Sequence, residues 1–167
     1  MIRGRVREPS AGVWSTGVVT EFSSADRSPE DAMMVDVMVV DGANVVGSRP
    51  DGWWNDRPGA AARLHARLHG APDLAHRLVL VLEGRAKEGV PEGATGPLQV
   101  VHAPGEGDET IVEEVARATT QGAAVAVVTA DRGLAARVER YGAQLLRPGW
   151  LLRRLDQLDL PRQGFPD

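Results

Sequence analysis

The sequence contains no cysteine, which excludes disulfide bonds, thiolate zinc sites and thiol chemistry. A metal ion bound by this chain would therefore need oxygen or imidazole ligands. No stretch approaches the roughly 20 apolar residues of a membrane helix, and the arginines within Met1–Ser10 precede no apolar segment. We therefore expect a cytoplasmic protein that does not associate with a membrane.

Two phosphate-binding motifs are also missing. The run Gly105-Glu106-Gly107 lacks the Gly-Lys-Ser/Thr ending of a P-loop, and its glutamate would repel a phosphate. The first apolar run is not followed by the Gly-x-Gly-x-x-Gly turn of a dinucleotide-binding fold. The net charge of −4 argues against a general polyanion binder, so nucleic acid would have to bind at a local basic patch.

Short apolar runs alternate with helical stretches from Val35 onward, a pattern typical of βα units around a parallel sheet. Each run is almost wholly apolar, as expected of a strand that helices cover on both faces. The predicted strands are Val35–Val40, Leu78–Leu82, Leu98–Val101, Val125–Thr129 and Ala143–Leu146. Helical spacing predicts helices over Pro58–Leu68, Thr110–Thr119, Leu134–Tyr141 and Trp150–Leu158. We predict a three-layer α/β/α domain around a five-stranded, mainly parallel sheet.

The rest of the chain shows no such periodicity. Residues 1–33 mix glycine, serine, proline and charged residues, and we expect a poorly ordered extension there. The predicted domain covers residues 34–160, and residues 161–167 form a short tail. Within the domain, Glu83–Pro97 is rich in glycine and proline, which predicts a long loop of the kind that often carries function.

Aspartates follow three of the predicted strands. Asp41 comes directly after the first strand, Asp108 lies in the segment after the third, and Asp131 follows the fourth. Because the carboxyl ends of parallel strands meet at one edge of a sheet, we expect these side chains to lie close together. Clustered carboxylates raise one another's pKa unless a cation neutralises them. Mg²⁺ and Mn²⁺ prefer carboxylate and water oxygens, so the sequence predicts that these aspartates hold one of these ions.

Each aspartate also has a purely structural explanation. Asp41-Gly42 is a common turn sequence, and Asp108 and Asp131 stand where helix N-caps stand. The coincidence of three such residues at one sheet edge favours a metal site over three separate local roles. His65 and His69 lie four residues apart, but no third ligand accompanies them, which favours a solvated helix face.

Three motifs resemble a known family: Val-Val-Asp41-Gly-Ala-Asn44-Val, Gly-Asp108-Glu109-Thr-Ile and Val-Val-Thr129-Ala-Asp131-Arg132-Gly. Their order and strand context are similar to those of the YacP-like NYN group of the PIN-like nucleases. The resemblance covers about residues 35–146. It implies a five-stranded parallel sheet, an acidic cluster that binds Mg²⁺ or Mn²⁺, and ribonuclease activity.

The resemblance also implies roles for individual residues. The three strand-end aspartates would be the metal ligands, and Asn44 would orient water or a carboxylate. Glu109 occupies the position of the second acid in what is often an Asp-Asp pair. PIN domains usually have a fourth acid, and Glu83, Glu106 and Glu109 are all candidates for it.

The predicted function is that of a metal-dependent ribonuclease with RNA as its partner. Three arginines near the predicted site are candidates for contact with the RNA backbone, namely Arg49, Arg85 and Arg132. A homodimer is left open.

Two alternatives come from other classes. A non-catalytic RNA-binding module would keep the fold with an incomplete acidic cluster. A HAD-like phosphohydrolase would also begin with an aspartate at the end of the first strand, but it would have a second aspartate two residues later, where this chain has Ala43.

Overall fold

The computed structural model describes residues 35–160, so the predicted extension over residues 1–33 and tail over residues 161–167 lie outside the described residues. The strands are β1 (Val37–Asp41), β2 (Arg77–Leu82), β3 (Gly93–Thr95), β4 (Leu98–His102), β5 (Val125–Val128) and β6 (Gln144–Leu146). The helices are α1 (Gly42–Gly47), α2 (Arg57–His69), α3 (Gly107–Thr120), α4 (Arg132–Glu139) and α5 (Pro148–Asp159).

The strands form a single sheet in the order β3-β4-β2-β1-β5-β6. β3 runs antiparallel to β4, and every other neighbouring pair is parallel. β1 is central, with Val39 paired to Val79 of β2 on one side and to Val127 of β5 on the other. The carboxyl ends of β1, β2, β4, β5 and β6 therefore lie along the same edge of the sheet.

Alternate residues of β1 enter the cores on opposite faces of the sheet. Met38 and Val40 pack with the apolar residues of α2 and α5, whereas Val39 packs with those of α3 and α4. All three side chains are fully buried, and each such burial stabilises the fold by roughly 1.5–3 kcal/mol. The predicted three-layer α/β/α arrangement is confirmed. No helix within residues 35–160 combines the length and apolar character needed to cross a membrane.

The predicted number of five strands was wrong, because the sheet also contains β3. This strand has three residues, all exposed, at the edge of the sheet, so it lacks the apolar signature that identified the others. The segment Glu83–Pro97 is consequently not a structureless loop, since it holds a 3-10 helix over Gly84–Gly89 as well as β3. α1 was also missed, because six residues are too few for helical periodicity to show.

Candidate functional site

Four acidic residues share the carboxyl edge of the sheet. Asp41 is the last residue of β1, and Glu83 directly follows β2. Asp108 lies in the first turn of α3, and Asp131 is the N-cap of α4. The structure therefore brings the three predicted aspartates to one edge and places Glu83 beside them.

Asp41 is the buried carboxylate of this group, with only 6% of its surface exposed. Its Oδ1 accepts a hydrogen bond from the backbone N–H of Asn44 (3.2 Å), and its Oδ2 accepts one from the Thr129 hydroxyl (2.9 Å). Burial raises the pKa of Asp41, and these two hydrogen bonds offset that effect only in part. The charges of Asp108 and Glu83 raise the pKa further. A negative charge at Asp41 is therefore unfavourable unless a cation lies nearby.

Asp108 is half-buried among the other acids. Burial raises its pKa, and the charge of Asp131 raises it further, whereas Arg137 acts in the opposite direction. The alternative explanation of Asp108 as a helix N-cap is wrong, because α3 begins at Gly107 with Glu106 in the cap position. Asp108 therefore does not cap α3.

Asp131 does have the expected cap role. Its Oδ1 accepts a hydrogen bond from the backbone N–H of Leu134 at 2.8 Å, and its side chain is otherwise exposed. Its backbone N–H donates to the Thr129 hydroxyl oxygen at 3.1 Å. Because the same hydroxyl donates to Asp41, Thr129 links the two aspartates.

Asn44 provides a second link at this edge. Its side-chain oxygen accepts a hydrogen bond from the backbone N–H of Ala130 at 3.1 Å, which ties α1 to the turn between β5 and α4. Thr129 and Asn44 together fix the position of the Asp131 turn relative to Asp41. Both are therefore positioning residues.

Glu83 is the candidate that the geometry favours as fourth acid. Its Oε2 accepts a hydrogen bond from the backbone N–H of Gly107 at 2.5 Å. A Cβ at position 107 would lie 3.0 Å from that oxygen, so the glycine permits the close approach. Glu109 instead pairs with Arg137 of α4 at 2.8 Å, and its side chain is 74% exposed. Glu106 is exposed, and its charge raises the pKa of Asp108, whereas the charge of Glu83 raises the pKa of both Asp41 and Asp108.

The side-chain positions do not form a finished metal cage. Within residues 35–160, no three histidine, aspartate or glutamate side chains are grouped closely enough to enclose an ion. Carboxylate oxygens are nevertheless the ligands that Mg²⁺ and Mn²⁺ prefer. Mg²⁺ usually keeps several bound waters and contacts only one or two carboxylates. The carboxylates at this edge, with the raised pKa values of Asp41 and Asp108, fit such a hydrated ion.

The three predicted RNA-contact arginines have different surroundings. Arg132 is exposed beside Asp131. Arg49 makes a two-pronged contact with Asp156 of α5, at 2.5 and 3.4 Å. Arg85 lies 4.0 Å from Glu88. Sequence reasoning missed Arg147, although it directly follows β6 and the strand-end rule that found the aspartates applies to it equally.

We expect Asp41→Asn to raise the melting temperature of the metal-free protein at about pH 7. Burial raises the pKa of Asp41 above its ordinary value of 3.8, so the stability contributed by this group is present below that value and is lost as pH rises through the raised value. Asp41 is the N-cap of α1, and asparagine keeps the hydrogen bond from the Asn44 N–H that makes this cap but carries no charge. Thermal melts in EDTA should show a gain at about pH 7 that disappears near pH 4, with about 2–4 °C for each kcal/mol relieved.

Asp131→Asn is the matched control for that melt, because Asp131 caps a helix in the same way but is exposed. It should leave the melting temperature nearly unchanged. A lower melting temperature for Asp41→Asn, or a gain of equal size at both pH values, would show that burial of the charge is not what raises the pKa.

Two solved structures are similar to this chain in fold. A crystal structure of a tryptophan-to-leucine mutant of Rae1 (YacP) from Bacillus subtilis matches with a TM-score of 0.61 and 20% identity, over 74% of this chain and 77% of that chain. A crystal structure of Rae1 (YacP) from the same organism matches with a TM-score of 0.57 and 18% identity, over 74% of this chain and 75% of that chain. No protein-family model and no curated protein matches the sequence. The chain thus has the fold of YacP, as its three motifs predicted.

Proposed function

We propose that this protein is a ribonuclease that hydrolyses phosphodiester bonds in RNA with the help of Mg²⁺ or Mn²⁺. The observation that carries the proposal is the gathering of four acids at one edge of the sheet, where burial and mutual repulsion raise the pKa of Asp41 and Asp108. An uncompensated cluster of this kind destabilises the fold, so it points to a site and not to packing. The fold shared with YacP supports the same conclusion by analogy.

Asp41 and at least one of the other three acids would hold the ion, which when bound supplies an activated water and stabilises charge on the scissile phosphate. The chain itself does the positioning. The Thr129 hydroxyl holds Oδ2 of Asp41, and Asn44 holds the turn that carries Asp131. Without a cation the same carboxylates repel phosphate, so placing the scissile phosphate against them depends on the metal.

The test uses the full chain with single-stranded and structured RNA. We expect cleavage with Mn²⁺, and loss of cleavage in EDTA. Saturating Mn²⁺ should also raise the melting temperature, because an ion that binds only the folded state stabilises it by about 2.7 kcal/mol at one hundred times its Kd. Absence of cleavage together with an unchanged melting temperature in Mn²⁺ would remove the proposal.

A non-catalytic RNA-binding module is the second candidate. The observation in its favour is that, in the part of the chain that the structure describes, no three acidic or histidine side chains enclose an ion. RNA affinity that persists in EDTA, together with an absence of turnover in Mn²⁺, favours the binding module, and turnover in Mn²⁺ that chelation abolishes excludes it.

The HAD-like phosphohydrolase has less support. The position two residues after Asp41 is the exposed Ala43, which offers no second carboxylate. Trapping of a covalent aspartyl-phosphate on Asp41 is the result that would favour it.

A further inference from the structure

Two grooves lead away from the acidic edge on the side of β5 and β6. The first has a volume of about 670 Å³ and begins at Thr129 and Asp131. The second has a volume of about 380 Å³ and reaches the first turns of α5. Ala130 lines both grooves, so they meet at the turn that Asn44 holds. We call the surface formed by these two adjoining grooves the β6 track.

Three exposed arginines line the β6 track. Arg132 and Arg147 line the first groove, and Arg153 lines the second. None of the three forms an ion pair with an acid among residues 35–160, which leaves their charges available to a ligand. Glu139 is the one acid other than Asp131 along the track. The guanidinium groups therefore dominate its charge.

The other basic groups near the edge are already engaged. Arg49 also lines the second groove, but Asp156 neutralises it and holds the pKa of Arg49 above its usual range. On the β2 side, Arg85 faces Glu88 and the Lys87 ammonium donates to the carbonyl of Ala103 at 3.0 Å. Arg57 also lies near Glu83 and forms no ion pair among residues 35–160, but its guanidinium stacks on the Trp53 ring at 5.4 Å. Arginines without a partner are thus concentrated on the β6 side of the acids.

We propose that the RNA strand runs from the acidic edge along the β6 track, with its phosphates on Arg132, Arg147 and Arg153. The proposal rests on the ribonuclease function proposed above and adds the path of the substrate. Arginine suits phosphate because its planar fork can donate two hydrogen bonds to one phosphate group. The half-buried Leu145 lines the first groove and offers apolar contact to a ribose or base.

The test compares RNA affinities in EDTA, where the strand stays intact. Fluorescence anisotropy with a labelled 12-nucleotide single-stranded RNA is measured for the full chain carrying Arg147→Ala, Arg153→Ala or both. We expect each single substitution to weaken binding roughly three- to tenfold at low salt. The slope of log affinity against log salt should fall by about 0.7 for each lost phosphate contact.

Arg77→Ala is the matched control, because Arg77 also forms no ion pair among residues 35–160 and begins β2 at the opposite edge of the sheet. Its loss should change affinity less than about twofold. Arg85→Ala tests the β2 side and should also have little effect. Thermal melts of all variants establish that each is folded.

The possible results of this experiment distinguish failure of the proposed RNA path from failure of the proposed ribonuclease function. If the unchanged protein binds and cleaves RNA while Arg147→Ala and Arg153→Ala bind as tightly as it does, the track is wrong and the ribonuclease proposal stands. A larger loss from Arg85→Ala than from Arg147→Ala also overturns the track, since it places the strand on the β2 side. If the unchanged protein neither binds nor cleaves RNA, both proposals fail.

Discussion

Asp41→Asn is expected to lower kcat/KM for RNA cleavage in Mn²⁺ by roughly 10²–10³-fold. Asparagine can still cap α1 with its one carbonyl oxygen, and its amide nitrogen can donate to the Thr129 hydroxyl where the carboxylate accepted, so the backbone should stay in place. What is lost is the negative charge that would hold the ion, and a metal ion contributes several kcal/mol to a transition state of this kind. Each 1.36 kcal/mol corresponds to about a tenfold change in rate. Initial rates on a labelled RNA measure the effect.

Asp73→Asn is the control for this substitution, because it makes the same chemical change at an exposed residue before β2, at the opposite edge of the sheet. It should leave the rate unchanged. The combination of lost activity with a melting temperature at least as high as that of the unchanged protein would mark Asp41 as functional and not structural. A folded Asp41→Asn protein that cleaves RNA at the original rate would disprove its role.

Glu83→Gln is expected to lower activity by roughly 10–100-fold, with a matching increase in the Mn²⁺ concentration needed for half-maximal rate. The substitution keeps an oxygen that can accept the Gly107 N–H bond, so the contact with α3 survives while the charge does not. Glu109→Gln is the matched comparison. It should change the rate less than about threefold, because Glu109 is exposed and its partner is Arg137.

The Mn²⁺ dependence distinguishes a metal ligand from a residue that only supports the fold. A Glu83 that merely packed against α3 would change the melting temperature without changing the Mn²⁺ requirement. If Glu109→Gln has the greater effect on the Mn²⁺ requirement, the fourth acid is Glu109, and its pairing with Arg137 must break when the ion binds.

The sequence predicted the parts of the fold that rest on burial. Five strands were found because each is an apolar run that helices cover, and their boundaries in the structure differ from the prediction by at most two residues. β3 could not be found in this way, since none of its residues is buried. Its position depends on pairing with β4, which is a tertiary contact that no local pattern records.

The candidate site was predictable to the level of the sheet edge. Strand-end logic placed Asp41, Asp108 and Asp131 together, because chain direction alone determines which edge a strand end reaches. The partners of individual side chains were not predictable. Arg49 pairs with Asp156, which lies 107 residues away in the sequence, and Glu109 pairs with Arg137, which lies 28 residues away. The sequence therefore could not show which charged side chains have an ion-pair partner and which do not.

The fourth acid could not be chosen from the sequence for the same reason, because the choice depends on the partners of each side chain. Glu83, Glu106 and Glu109 are equivalent by spacing, and only the hydrogen bond from Gly107 to Glu83 and the ion pair of Glu109 distinguish them. The arginines of the β6 track were missed for a different reason. Arg147 directly follows β6, but a single arginine at a strand end lacks the coincidence of like residues that identified the three aspartates.

The most direct test of the account is a crystal structure of the full chain in saturating Mn²⁺, with the ion located by its anomalous scattering. The account predicts Mn²⁺ at the carboxyl edge, bound by Asp41 and at least one of Glu83, Asp108 and Asp131, with waters completing its coordination. An acidic edge that contains no Mn²⁺ at saturating concentration, or an ion bound only at another surface, would contradict it.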